Sequence, residues 1–287
     1  MHDLQLPRVI VLILIASMLG IAALQFMDTQ PAAIASAAMI HDQAPLVTPT
    51  AAPQAPAELV AARDVPEPAP VRRVVQKRGG VACASPHQLV TVPADTVVRS
   101  RPGARSRNLG KLPARSVYLG QPMTAWVQRT STDGRWGLIT LPWSKPVGQT
   151  GWVRLNGQRA ATRLMIVSDL STRRMTVYRG CTPVFSAPTA IGRAGSPSPQ
   201  GRYWVSDRIA VPAAQQGSFG TYAFGLSTVQ PNLPAGWSGG DQMAIHGTGA
   251  AGSIGQAASA GCLRVSEDTL ARLKPLLRPG TPVIITA

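Results

Sequence analysis

Cysteine and histidine are scarce in this chain: 287 residues hold three Cys and four His. Three Cys exclude a disulfide-dense scaffold, and no Cys-x-x-Cys pair offers a structural zinc site. The His stand far apart, at His2, His41, His87 and His246, and no His/Asp/Glu cluster suits a metal ion, so neither metal nor cofactor is expected. Acidic residues are few, 13 against 28 Lys and Arg. Aromatics make up 5% of the chain. Long apolar runs are nearly absent. Only one exists, which excludes multiple membrane spans. What is present is 45% apolar residues with 27 Gly and 26 Pro. That is too apolar for a wholly disordered chain, and it reads as linkers and β-turns around modest cores.

The +15 formal charge is uneven. Residues 1–27 and 28–80 each sum to zero, so all of it sits in 81–287. Residues 9–24 are apolar or small apart from Ser17, with Arg8 before them. This predicts a cytoplasmic stub and transmembrane anchor over 1–27, with the bulk of the chain outside the cytoplasm. A cleaved signal peptide is the alternative, since small-residue sites lie at 33–37. Residues 31–70 contain eight Pro and 13 Ala. Such a stretch buries too little surface to offset its ordering entropy, so 28–87 is expected to be a disordered Pro/Ala-rich linker.

Residues 88–160 show strand signals at 96–99, 116–119, 126–128, 136–139 and 151–155, separated by turn residues. A small all-β barrel is the expectation. The runs 97–103 (VVRSRPG) and 151–153 (GWV) resemble the first and closing strands of bacterial SH3-like domains. The resemblance implies a wall-binding or positioning module. Eleven bases against two acids in this segment suit an anionic polymer. The alternative is that the Arg follow from genome composition and the Trp from a core. Nucleic acid is not expected for an exported chain.

Residues 162–287 read as strands at 164–167, 175–178, 184–187, 203–205, 243–245 and 283–285. One helix is expected after Ser266, with Glu267 and Asp268 at its positive end and Leu270, Leu273 and Leu277 on one face. Pro275 should bend or end it. The fold class is therefore mostly β with one or two short helices. The chemistry-bearing residues are His246, ending a β-type run, and Cys262, 16 positions later. Acyl chemistry at a thiol needs a base to form the thiolate and backbone donors for the oxyanion. Gly261 lets the backbone approach a substrate, and Arg264 carries a fork suited to a carboxylate. A lone Cys and a lone His are more often structural than catalytic.

The combination changes that reading. His246-Gly247-Thr248 followed by Ser259-x-Gly261-Cys262-Leu263-Arg264 resembles the signature of the L,D-transpeptidases, the YkuD-type catalytic domain. Residues 190–192, 198–203 and 280–283 resemble the family's Gly-turn, Thr-Pro-x-Gly-x-aromatic and closing-strand regions. The resemblance implies Cys262 as nucleophile and His246 as base. It also implies an oxyanion hole from the Gly261 and Cys262 amides, and substrate contacts from Arg264, Ser259, Gly247 and Thr248. The implied reaction is acyl transfer between peptidoglycan stem peptides, giving 3→3 cross-links. Water as acceptor would make an L,D-carboxypeptidase. Ala260 stands where the family usually has His, which keeps a degenerate, non-catalytic wall-binding protein as the rival. Cys83 and Cys181 have two readings, a disulfide formed outside the cytoplasm or two reduced apolar thiols.

Overall fold

The computed structural model describes residues 86–237 and 240–287, and every statement of structure below concerns these residues. The expected anchor, nearly all of the expected linker, and Cys83 lie outside them. No helix among the described residues is long and apolar enough to cross a membrane.

The amino-terminal part holds β1 (His87–Thr91), β2 (Thr96–Arg99), β3 (Asn108–Leu112), β4 (Thr124–Val127), β5 (Arg129–Thr130), β6 (Trp136–Thr140), β7 (Thr150–Arg154) and β8 (Arg159–Thr162). They form a three-stranded sheet, β4-β1-β8, and a five-stranded sheet, β3-β2-β7-β6-β5. Leu89, Val98, Trp126, Ile139 and Val153 fill one core between them. The linker was expected to run through 87. Instead His87 is buried and paired with Thr162 in β1–β8, so the ordered part begins earlier. The strand expected at 116–119 is a turn. The Ser116 hydroxyl accepts from the Tyr118 and Leu119 amides, and Gly120 takes φ +63°.

The carboxy-terminal part follows with β9 (Leu164–Asp169), β10 (Arg174–Arg179), β11 (Thr182–Pro188), β12 (Ile191–Gly192), β13 (Gly201–Ala210), α1 (Gln216–Phe219), β14 (Tyr222–Val229), β15 (Gln242–His246), β16 (Ala257–Ser259), β17 (Leu263–Arg264), α2 (Glu267–Leu273) and β18 (Pro282–Thr286). Eight strands make one sheet in the order β11-β10-β9-β18-β13-β14-β15-β17. The pairs β9–β18 and β15–β17 are parallel. Side chains alternate across each strand. On one face Tyr203, Val205, Phe224, Met243, Ile245, Leu263 and Val283 pack with Leu270, Leu273 and Leu277, burying the apolar side of α2. Ser266 caps that helix by accepting from the Thr269 amide. On the other face Trp204 and Ile284 join the core of the amino-terminal sheets. Those sheets therefore pack against the back of the large sheet.

Polar contacts pin this docking. Gln121 Nε2 donates to Arg208 O at 2.6 Å and Gln121 Oε1 accepts from Arg208 N at 3.1 Å. Trp143 Nε1 donates to Leu226 O at 3.1 Å. Asp241, the residue before β15, accepts from the Tyr118 hydroxyl and pairs with Lys145 at 2.9 Å. Burial pushes the Asp241 carboxyl up, but Tyr118 and Lys145 outweigh it and hold it below the usual carboxylate range.

Candidate active site

Strand alternation brings the two reactive residues to one face. In β15, Met243 and Ile245 enter the core, which turns Ala244 and His246 the other way. Leu263 and Val265 likewise enter the core, which turns Cys262 and Arg264 away from it. The register pairs Ile245 with Leu263 and His246 with Arg264. Cys262, the residue before β17, and His246, the last residue of β15, thus face the same side of the sheet, offset by one pleat. Cys262 packs with Val211, Phe219 and Ala223 in a small apolar cluster beside Ala244. The Phe219 ring lies 5.2 Å from the His246 ring.

Burial sets the charge states. The Cys262 thiol is 5% exposed. Its desolvation pushes the pKa up to about 12, opposed only by a backbone hydrogen bond from Ala244. His246 is 1% exposed. Burial pulls its pKa down to about 4, opposed by backbone hydrogen bonds to Gly247 and Phe219. His246 Nδ1 is 2.6 Å from Gly247 O. At neutral pH both groups are uncharged, a thiol and an imidazole. Burial also pulls the Arg264 pKa down.

The loop carrying Cys262 is held by side chains. Ser259 Oγ donates to Cys262 O at 2.7 Å and accepts from Gly261 N at 3.0 Å. Ser198 Oγ donates to Gly261 O at 2.6 Å and accepts from Gly192 N at 2.9 Å. Gln230 Nε2 reaches Ala260 O at 3.0 Å and Pro197 O at 3.1 Å. Gly261 takes φ +126°, and a Cβ there would sit 2.0 Å from Gln230 Nε2. Only glycine fits this turn while Gln230 stays in place.

The family model of the YkuD L,D-transpeptidase catalytic domain fits residues 163–285. Two curated proteins provisionally named L,D-transpeptidase YkuD are similar to part of the chain. The one from Bacillus licheniformis is 30% identical over 121 residues, 42% of this chain and 64% of its own length. The one from Bacillus subtilis is 31% identical over 120 residues, with the same shares. The chain thus covers less than two thirds of either relative. An L,D-transpeptidase structure from Mycobacterium smegmatis overlaps 57% of this chain and 89% of its own at 14% identity and TM-score 0.36, too low to carry an argument.

The YkuD-matching segment contains every catalytic and substrate-contacting residue expected from the sequence, but they differ in position. Cys262, His246 and Arg264 share one face. Ser259 is fully buried and braces the loop from within. The Gly261 amide was expected to serve an oxyanion. It donates to Ser259 Oγ instead, because the Ala260–Gly261 peptide is turned by Gln230. Thr248 was expected to contact substrate, yet its hydroxyl accepts from the Ala250 amide at 3.1 Å and stabilises a turn. Gly247 makes room. A Cβ there would lie 2.1 Å from Glu267 Oε1, and that carboxylate accepts from both the amide and the hydroxyl of Thr221. Sequence reasoning missed Gln230, Phe219 and Glu267. Gln230 lies outside any motif, and only its burial among three carbonyls marks it. Cys181 is disulfide-bonded and Cys262 is free, while Cys83, the remaining cysteine, lies outside the described residues.

Proposed function

We propose that this chain is a cell-wall L,D-transpeptidase whose nucleophile is Cys262. The observation carrying this reading is the placement of His246, which ends β15, and Cys262, which directly precedes β17, on the same side of the sheet, within the segment matched by the L,D-transpeptidase family model. In the first step His246 takes the Cys262 proton as sulfur bonds to the carbonyl carbon at the third stem position. A backbone amide of the loop meets the oxyanion. The bond to the terminal D-residue breaks, and its amine takes the proton from His246. In the second step a side-chain amine of a neighbouring stem attacks the thioester, the thiol is restored, and a 3→3 cross-link results. Arg264 would hold a substrate carboxylate near the nucleophile.

The uncharged resting pair implies that ionisation accompanies attack rather than preceding it. The test is product analysis of the full chain, in detergent, with a tetrapeptide stem. A cross-linked dimer supports transpeptidation. Tripeptide plus free D-residue makes the enzyme an L,D-carboxypeptidase. No product from folded chain favours the degenerate wall-binding protein that Ala260 raises.

The same proposal puts the chain outside the cytoplasm, anchored through residues 9–24, with the SH3-like unit as a wall contact. A groove of about 690 Å³ in that unit supports this, with Arg129, Arg135 and Arg154 around Trp136 and Trp152. The Arg129 guanidinium stacks on Trp152 at 5.2 Å. Asp133 neutralises only Arg135, so the groove keeps a positive surplus suited to an anionic wall polymer. Replacing Arg129 and Arg154 by Glu is expected to abolish retention on purified wall polymer at low salt, and unchanged retention would remove the groove from the account.

A further inference from the structure

Three successive carbonyls, those of Ala260, Gly261 and Cys262, are each engaged by a side-chain donor, from Gln230, Ser198 and Ser259 respectively. Two of these donors reach in from elsewhere in the chain. Ser198 and Gln230 are 4% and 2% exposed, so water does not compete freely for the bonds they make. A trans peptide is planar, and its C=O and N–H point in opposite directions. The one cis peptide among the described residues is Lys145–Pro146. Fixing a carbonyl in this loop therefore fixes the direction of the next amide.

Two consequences follow. Gln230 holds Ala260 O, which turns the Gly261 N–H back onto Ser259 Oγ, where it is observed. Ser198 holds Gly261 O, which turns the Cys262 N–H directly away from Ser198. The nucleophile's own amide is the donor whose direction Ser198 controls. The serine is itself fixed, because its oxygen accepts from the Gly192 amide, and a Cβ on Gly192 would lie 2.5 Å from Ser198 N.

We infer that Ser198 is a positioning residue for acyl transfer. By hydrogen-bonding Gly261 O it sets the Gly261–Cys262 peptide plane, so that the Cys262 amide meets the oxyanion formed on Cys262. Gln230 sets the preceding plane and excludes Gly261 from the same task. The inference rests on the proposed cysteine acyl transfer.

Its test separates two reactions of the same sulfur. Acylation by a carbapenem passes through an oxyanion, whereas alkylation by iodoacetamide does not. Both rates are read by intact mass on the full chain, for wild type, Ser198→Ala, Ser198→Thr and Cys262→Ala. Loss of an oxyanion donor lowers such rates about 10²–10³-fold. Ser198→Ala is therefore expected to slow acylation by about 10-fold or more while alkylation stays within about twofold. Ser198→Thr, which keeps the hydroxyl, is expected to restore acylation. Unchanged acylation in Ser198→Ala overturns the inference. So does a parallel fall in both rates, which would make Ser198 a general brace of the loop. A wild type that is alkylated at Cys262 but never acylated overturns the acyl-transfer reading itself, and this inference with it.

Discussion

At the scale of single residues, burial governs what the candidate pair can do. With its pKa pushed up to about 12, the Cys262 thiol should react with iodoacetamide far more slowly at pH 7 than a free thiol. Its rate should keep rising with pH through 10, and a plateau near pH 8 would contradict this environment. The imidazole gives a stability signature. His246 titrates near 6.5 when unfolded and at about 4 when folded. As pH falls below 6.5 the unfolded chain takes up the proton first, so stability is lost between about pH 6.5 and 4. The loss is on the order of 3 kcal/mol and should disappear in His246→Gln, read by urea unfolding at several pH values. Both residues were legible in the sequence, because their motif is local. Their charge states were not, since the apolar cover comes from Val211, Phe219 and Ala223 elsewhere in the chain.

At the scale of elements, legibility followed apolar alternation. The hairpin β9–β10 and the capped helix α2 lie where the pattern predicts them. Ser266→Ala should cost about 1 kcal/mol, measured by chemical denaturation, because the Thr269 amide loses its acceptor. β14 left no such trace. Its Gly225, Ser227 and Thr228 look like turn chemistry, yet each is buried within the sheet. Gly225 leaves room for Gln242, whose amide would lie 2.6 Å from a Cβ there, and Ser227 Oγ accepts from the Trp204 amide. Ser227 serves a partner distant in sequence and Gly225 makes room for one, which no local pattern encodes. At 116–119 the reverse happened. A β-like run became a turn, which carries Tyr118 to Asp241.

At the scale of the whole molecule, strand signals and motifs suggested a boundary near residue 160, and nothing in them encoded how the two parts dock. Trp204 reads as an ordinary strand aromatic, and only the structure shows it fully buried in the core of the amino-terminal sheets. Trp204→Ala should destabilise the chain by about 3–5 kcal/mol. The wild type should unfold in one calorimetric transition, because both parts share this core, and the variant should show the parts separating into two. Docking also bears on the site. Asp241, held by Tyr118 and Lys145, directly precedes the strand that ends in His246. The amino-terminal part thus fixes one end of β15.

The central claim is that Cys262, assisted by His246, is the acyl-accepting nucleophile despite Ala260. Intact mass of the full chain after incubation with a carbapenem tests it most directly, beside Cys262→Ala and His246→Ala. The account predicts one stable adduct on wild type, none on Cys262→Ala, and acylation slowed about 10²–10⁴-fold in His246→Ala. A folded, reduced wild type that forms no adduct, or an adduct that persists in Cys262→Ala, would contradict it.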